Sequence, residues 1–327
     1  MRAVEVSAPG GIDKLAIVDL PDPVPGAGEV VIDVAFAAAN WSDIQKREGV
    51  YPDPVIYPAV IGSEVSGTIA SVGADVSGLE PGQRVCAITG PSVLGGYAEK
   101  CVVGADFVIP LPENLSLETG AAFPVVTLTA YHLLNSAYSL QDGDTVLVHA
   151  IGGAVGLAVT QLAVERGARV IGTVSSAGKG ERARKYGAHL VIDRSTDDYL
   201  AEVRRFTGGE GIDLLIDSLG GDFLPQSIGL LKTYGHAINI GEAAGYPDFD
   251  IRPKLYENST SLAGFEVLHA MRRPGAWQKG VDAVLEHLAF GALEMPVAEV
   301  FAFDAVHDLH QKLESRTVSG KLLLQVA

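Results

Sequence analysis

One stretch of the chain could hold an anion with little help from side chains: Val148-His149-Ala150-Ile151-Gly152-Gly153-Ala154-Val155-Gly156-Leu157-Ala158. Small residues at Ala150, Gly153 and Gly156 let the backbone turn tightly, approach a pyrophosphate and seat a following helix against a preceding strand. The free N–H groups of that helix's first turn, at Ala154 and Val155, and its dipole then attract the anion. Glycine spacing alone is weak evidence, because a tight strand-to-helix turn needs no ligand. Its place after one apolar run and at the head of several more gives it weight. About 20 residues on, a chain that grips the ribose 2′-hydroxyl of NAD carries an acidic residue. Here the residues are Thr173-Val174-Ser175-Ser176-Ala177-Gly178-Lys179. Hydroxyls at Ser175 and Ser176 and charge from Lys179 suit a 2′-phosphate, with Arg182 a turn later and Arg194 after the next apolar run. The expected cofactor is therefore NADPH. A solvated helix face is the competing reading for Lys179 and the favoured one for Arg182, Arg184 and Lys185.

The elements that would position this loop are legible as texture. Short continuous apolar runs begin at Thr145, Arg169, Leu190, Ile212, His236 and Ser261 and alternate with helix-period segments. Runs apolar on both faces suit parallel strands covered by helices, so an α/β, doubly wound six-stranded parallel sheet is expected. Up to about Pro124 the pattern is of strands and turns instead, with Glu29 to Phe36 and Val65 to Val72 separated by Pro and Gly punctuation, which predicts a β-barrel-like first domain. After Phe265 come helices around Trp277 to Phe290 and Ala305 to Ser315. A last strand, Lys321 to Val326, is too short to fold alone and should return to the first domain.

Composition narrows the function classes. The 24 Lys and Arg against 40 Asp and Glu give a net charge of −16, which argues against nucleic acid or an anionic membrane as the main partner. Two cysteines, Cys86 and Cys101, are too few for a disulfide framework or a four-cysteine zinc lobe, and a reduced cytoplasm fits best. The opening Met1-Arg2-Ala3-Val4-Glu5-Val6 carries charge where an apolar signal core would lie, and no run of about 18 apolar residues occurs, so the chain is expected to be soluble and unprocessed.

Several further motifs occur in order: Asn40-Trp41-Ser42-Asp43 through Arg47-Glu48-Gly49-Val50-Tyr51, Pro58 through Gly62-Ser63-Glu64-Val65-Ser66-Gly67, Gly82-Gln83-Arg84-Val85, Gly96-Tyr97-Ala98-Glu99 and Leu128-Thr129-Ala130-Tyr131. With the phosphate loop, they make the whole chain resemble the zinc-independent quinone oxidoreductase branch of the medium-chain dehydrogenase/reductase superfamily. The resemblance implies a GroES-like catalytic domain over 1–122, a Rossmann NADPH-binding domain over 123–265 and a segment 266–327 returning to the catalytic domain, with hydride transfer in the cleft between them. Zinc-dependent relatives place Cys where Asn40 stands, His where Ser63 stands and usually Cys near Thr127. An amide and hydroxyls are poor zinc ligands, so no metal is expected. His307 and His310 are read as lying on a surface helix.

By the same resemblance Asn40 should face the nicotinamide and the acceptor, and Tyr51 occupies a position that carries a protonating tyrosine in enoyl-thioester reductases. An ordinary turn Asn and a loop Tyr stacked on proline are the bland alternatives. Thr127, read as lying just before a helix, should contact the nicotinamide or its ribose, as should Leu219 and the Asn239-Ile240-Gly241 turn at strand ends. Ser42 to Gln45 reads as a capping box, with Asp43 and Arg47 pairing on that helix. Without a Lewis acid, hydride addition to an electrophilic quinone or enone is the natural chemistry. The expectation is an NADPH-dependent reductase of quinones or α,β-unsaturated carbonyls, cytoplasmic and homodimeric through the Ser261 to Phe265 edge. An enoyl-thioester or 2-alkenal reductase and a non-catalytic, crystallin-like NADPH-binding protein are the alternatives.

Overall fold

The computed structural model describes the backbone of residues 1–327 and every side chain except that of Ala177. Packing divides the chain into two units, Met1–Val125 with Leu285–Ala327, and Val126–Val284.

The first unit runs through β1 (Arg2–Val6), β2 (Leu15–Asp19), β3 (Glu29–Ala38), α1 (Trp41–Glu48), β4 (Ala59–Val60), β5 (Glu64–Val72), β6 (Arg84–Ile88), β7 (Lys100–Gly104), β8 (Val108–Pro110) and α2 (Leu117–Ala122). β3 is its spine, pairing antiparallel with both β5 and β7. Alternation along β3 puts Val30, Ile32 and Val34 into one core with Val65, Ile69 and Val85, and the small β2-β1-β4 sheet adds Val4 and Val6. Register shifts between Val31 and Ile32 and between Val34 and Phe36 bend β3, which lets an antiparallel sheet curl around its apolar face. Cys86 and Cys101 are free and buried, and desolvation holds the Cys101 thiol up at about 12, so neither is a nucleophile at neutral pH.

The second unit is the doubly wound sheet expected from the apolar runs. After α3 (Pro124–His132) come β9 (Thr145–His149), α4 (Ala154–Glu165), β10 (Arg169–Val174), α5 (Glu181–Lys185), β11 (Leu190–Asp193), α6 (Tyr199–Thr207) and β12 (Ile212–Asp217). They continue with α7 (Phe223–Ile228), β13 (Leu231–Asn239), α8 (Ile251–Glu257), β14 (Ser261–Gly264) and α9 (Ala276–Ala289). The six strands pair in the order β11-β10-β9-β12-β13-β14, all parallel. Leu147, Ile171, Ile192 and Leu215 pack with Tyr199 and Val203 of α6 on one face. In this order the chain reverses direction at β9, so the carboxyl ends of β9 and its neighbours open a crevice where such sheets bind ligands.

The chain then adds β15 (Val297–Ala302), α10 (Val306–Glu314) and β16 (Lys321–Gln325) to the first unit. β16 lies antiparallel to β3, with Leu323 opposite Ala38, as the short last strand requires. β15 pairs parallel with β16 and is a strand not expected from the sequence, although five of its six residues, VAEVFA, are apolar; at the sheet edge most of these side chains are exposed. The expected surface position of His310 is overturned: it is fully buried, its ring edge-on to Tyr97 and its Nδ1 3.1 Å from the Arg47 guanidinium. Among the described residues no helix is long and apolar enough to cross a membrane.

Candidate functional site

In the second unit the turn from β9 to α4 spans residues 150–153. Ala150 takes a φ of 52°, a left-handed conformation that costs an L-residue roughly 1–2 kcal/mol, and accepts the Gly153 N–H at 2.9 Å to close the turn. Ile151 folds back over the sheet, donating its N–H to Thr173 at 3.1 Å. A Cβ on Gly156 would lie 2.6 Å from Ile151 Cα, and one on Gly172 only 2.2 Å from Ile151 Cδ1. The space that glycine leaves at Gly156 and Gly172 is thus occupied by Ile151, which locks the loop onto β10 and α4. A Cβ on Gly152 would lie 2.2 Å from the Lys179 carbonyl oxygen, so the segment after β10 presses against the phosphate loop.

Helix α4 starts at Gly153 with no side-chain cap and no acidic residue in its first turn. Its first backbone acceptor within the helix meets Leu157 N–H (2.9 Å, from Gly153 O), which leaves the N–H groups of Ala154, Val155 and Gly156 without an intrahelical partner. Those donors and the helix dipole form a ready anion site. Ser175 and Ser176 are exposed beside it and Lys179 is half-buried. The Arg194 guanidinium stacks over Phe223 at 4.5 Å, and its backbone N–H bonds Val174 at 3.0 Å, which ties the end of β11 to that of β10.

Beneath the loop lies a buried polar chain that the sequence did not announce. His149 bonds Thr173 Oγ1 through Nδ1 and Ser227 Oγ through Nε2, both at 2.8 Å, and Tyr199 meets Ser227 at 3.1 Å. Burial pulls the His149 pKa down to about 3, so the ring is neutral, one nitrogen donating and the other accepting. At the end of β12, Asp217 accepts from Leu219 N (3.0 Å), Gly220 N (3.1 Å) and Asn239 Nδ2 (3.0 Å). Ile240 N–H donates to the Asp217 carbonyl at 2.8 Å, and Asn239 reaches the Gly241 carbonyl at 3.1 Å. The Asp217 carboxylate and carbonyl, with the Asn239 amide, therefore knit Leu219, Asn239, Ile240 and Gly241 into a single surface at the carboxyl ends of β12 and β13. Burial raises its pKa, opposed by these hydrogen bonds. The one sequence signal was an acid closing an otherwise apolar strand. Thr127 sits inside α3 rather than before it, and its fully buried Oγ1 has no hydrogen-bond partner, an orphan donor of the kind a ligand completes.

The first unit carries Asn40 and Tyr51. Asn40 caps α1, and the capping box is Asn40 with Asp43, not Ser42 with Gln45: Asn40 N–H donates to Asp43 Oδ2 at 2.9 Å. The side-chain amide of Asn40 is clamped from two sides. Lys321 Nζ donates to its Oδ1 at 2.6 Å, its Nδ2 donates to Glu64 Oε1 at 2.9 Å, and only a long 3.4 Å contact to the Ala38 carbonyl takes the second N–H. Lys321 and Glu64 form a fully buried ion pair at 2.6 Å, and Glu64 Oε2 accepts Val125 N–H at 2.8 Å. Asn40 is thus rigid, with one amide hydrogen weakly engaged. Asp43 and Arg47 do not pair. Asp43 takes Ser63 Oγ (2.7 Å) and Tyr97 OH (3.2 Å), while Arg47 binds Glu48 (2.9 Å) and Glu314 (2.5 Å). Tyr51 is half-buried, with Lys46 Nζ 4.8 Å from its ring centroid.

Residues 26–113 match the family model described as alcohol dehydrogenase GroES-like domain, and residues 154–286 the model described as zinc-binding dehydrogenase. A quinone oxidoreductase of Pseudomonas aeruginosa is 30% identical over 330 residues, 99% of each chain. The crystal structure of Escherichia coli quinone oxidoreductase complexed with NADPH is similar at a TM-score of 0.95 and 28% identity, over 100% of both chains. The chain is also 30% identical over 324 residues to a much longer protein, a phenolphthiocerol/phthiocerol polyketide synthase of Mycobacterium tuberculosis, of whose length it spans 15%. The zinc implied by the second description does not fit this chain. Ser63 and Asn40 offer a hydroxyl and an amide already bonded to Asp43, Glu64 and Lys321. Among the described residues, no three His, Cys, Asp or Glu side chains converge on a point that would hold an ion.

Proposed function

Because the chain belongs to the quinone oxidoreductase branch of the medium-chain dehydrogenase/reductase superfamily, we propose that it reduces quinones or related α,β-unsaturated carbonyls by hydride transfer from NADPH, without zinc. The observation that carries the cofactor is the packing of the Lys179 backbone against Gly152, which brings Ser175, Ser176 and Lys179 beside the anion-binding turn with no carboxylate between Thr173 and Gly180. In this reading the N–H groups of Ala154, Val155 and Gly156 hold the pyrophosphate, and Ser175, Ser176, Lys179 and Arg194 hold the 2′-phosphate. Thr127, Leu219, Asn239, Ile240 and Gly241 line the nicotinamide half, and the unpaired Thr127 Oγ1 supports that assignment.

NADPH supplies the hydride; the chain supplies position and charge stabilisation. Hydride addition to a conjugated acceptor leaves an enolate or hydroquinone anion, which needs donors already in place. Asn40, held by Lys321 and Glu64, presents its weakly engaged amide hydrogen without reorganising. Tyr51 gives its phenol proton to the anion. The reading extends to a cytoplasmic homodimer, supported by β14 being the edge of the parallel sheet with Ala263 and Gly264 exposed.

Two assays test it. Fluorescence titration should give tighter binding of NADPH than NADH, and steady-state turnover should consume NADPH with a panel of quinones and enones. No oxidation with any acceptor, or a preference for NADH, would overturn the proposal. Turnover of 2-enoyl thioesters or 2-alkenals far above quinones would move the reading to the enoyl-thioester branch.

A further inference from the structure

Lys46 is fully buried on α1 yet pairs with no carboxylate among the described residues. Its ammonium donates to Ser63 Oγ at 3.0 Å and to the Val93 carbonyl at 2.5 Å, and its third side is covered by the face of the Tyr51 ring at 4.8 Å. Val93 holds a φ of 48°, a left-handed conformation that is a genuine outlier for a β-branched residue, and in it the carbonyl reaches Lys46. A bare core lysine would be replaced by an apolar residue at no loss. Here a strained backbone carbonyl and a buried hydroxyl are committed to holding the charge in place.

The acids that face Lys46 are Asp43, one turn earlier on α1, and Asp53, in the loop that follows Tyr51. Asp43 is already occupied by Asn40 N–H, Ser63 Oγ and Tyr97 OH. Arg47, next on the helix, is engaged elsewhere, with Glu48, Glu314 and His310. Desolvation pulls the Lys46 pKa down to about 8, with Asp43 and Asp53 opposing it, so the ammonium loses its charge within the working range of an enzyme.

We propose that Lys46 is the positioning residue for Tyr51: its buried ammonium holds the phenol by the ring face and stabilises, through its charge, the phenolate that remains when Tyr51 gives up its proton. The inference rests on the reading of Tyr51 as the proton donor. In that step the Tyr51 O–H bond breaks, the proton passes to the acceptor anion, and the bonding pair stays on the phenolate oxygen, which takes a proton back from water. A cation against a desolvated aromatic face is a strong enough contact to orient the ring, and a phenolate ring attracts it more than a phenol ring does.

The test compares the parent protein with Lys46→Met, Lys46→Arg and Tyr51→Phe, and with the Lys46→Met/Tyr51→Phe and Lys46→Arg/Tyr51→Phe double variants. The Tyr51 phenolate is read as the ultraviolet difference between each protein and its Tyr51→Phe counterpart across pH, with no cofactor present. Lys46 is neutral above about pH 8, so Lys46→Met should leave the Tyr51 midpoint within a few tenths of the parent's, whereas Lys46→Arg, which stays charged, should lower it by about one pH unit. In turnover with NADPH, kcat/KM of the parent should fall as pH rises through about 8. Lys46→Met should be about tenfold slower at neutral pH and should lose that limb, with the loss in kcat rather than KM. A folded Lys46→Met with the parental rate at neutral pH, or a folded Lys46→Arg with the parental Tyr51 midpoint, would overturn the inference while Tyr51→Phe remained slow. Parental turnover by Tyr51→Phe would instead overturn the underlying reading of Tyr51. If Lys46→Met does not fold, a parent profile without a limb near pH 8, or an unshifted profile in Lys46→Arg, overturns the proposal.

Discussion

The phosphate loop of the second unit and the pocket around α1 of the first unit are built on opposite principles. At the loop the chain removes side chains: Gly152, Gly156 and Gly172 each leave space that Ile151 or the Lys179 backbone fills, and the polar work falls to N–H groups and a helix dipole. Around α1 it buries charge instead, with Asp43, Lys46, Arg47, Glu64 and Lys321 all at most 2% exposed. A backbone site is already desolvated and rigid, so its sensitivity lies in sterics. A pocket of buried charges is stable only as a complete set, because each ion has given up its water for specific partners.

That contrast predicts the largest effect in the first unit. Lys321→Met leaves Glu64 buried without its cation, and should cost about 3–5 kcal/mol in urea unfolding. Adding Glu64→Gln to it should recover a good part of that loss. A single-variant cost below about 1 kcal/mol would mean that water reaches the pocket, and the contrast would fail.

Acid sensitivity comes next and should be shared by both units. His149 in the second and His310 in the first have folded pKa values near 3, well below the ordinary 6.5, chiefly through burial. Between those values only the unfolded chain binds the proton, so the stability is complete above pH 6.5 and is lost as pH falls. The loss per histidine is about 2 kcal/mol between pH 6.5 and pH 5, read as Tm against pH. His310→Asn should flatten part of that slope. An unchanged slope would place the acid sensitivity elsewhere.

Sterics should dominate at the loop. Gly156→Ala forces a Cβ against the Ile151 backbone and should cost about 1–3 kcal/mol and weaken NADPH binding. At Gly153 the nearest contact of an added Cβ is 3.3 Å from the Ala150 carbonyl, so Gly153→Ala should cost less than about 1 kcal/mol. Equal costs would show that the loop shifts to relieve the clash. The smallest effect belongs to an accessible charge: Lys179→Ala should lower kcat/KM for NADPH about fivefold to tenfold and leave that for NADH unchanged.

Legibility in the sequence follows the same division. Six apolar runs correspond to the six parallel strands, and the small residues at Ala150, Gly153 and Gly156 locate the turn, because both signals are carried by residues close together in the chain. Gly152 and Gly172 carry no such local signal, since what makes them necessary, the Lys179 carbonyl and the Ile151 side chain, depends on how the turn packs on β10. The α1 segment reads as a capped helix but with the wrong box, because Asn40–Asp43 and Ser42–Gln45 are equally plausible as spacing and only the buried partners choose between them. His310 looks like a solvated helix residue for the same reason: a polar side chain at a helical position reads as exposed until a guanidinium is found beside it.

Read alone, the sequence determined what short-range physics controls: the order of strands and helices, the anion-binding turn, the absence of an acid after β10, and the lack of thiolate and imidazole at Asn40 and Ser63. Tertiary structure decided which charges could be buried. Lys321 reaches Asn40 across 281 residues of chain, and Lys46 reaches Ser63 across 17. A buried charge is tolerated only where its partners arrive in space, and that arrival is set by packing, which no local pattern records.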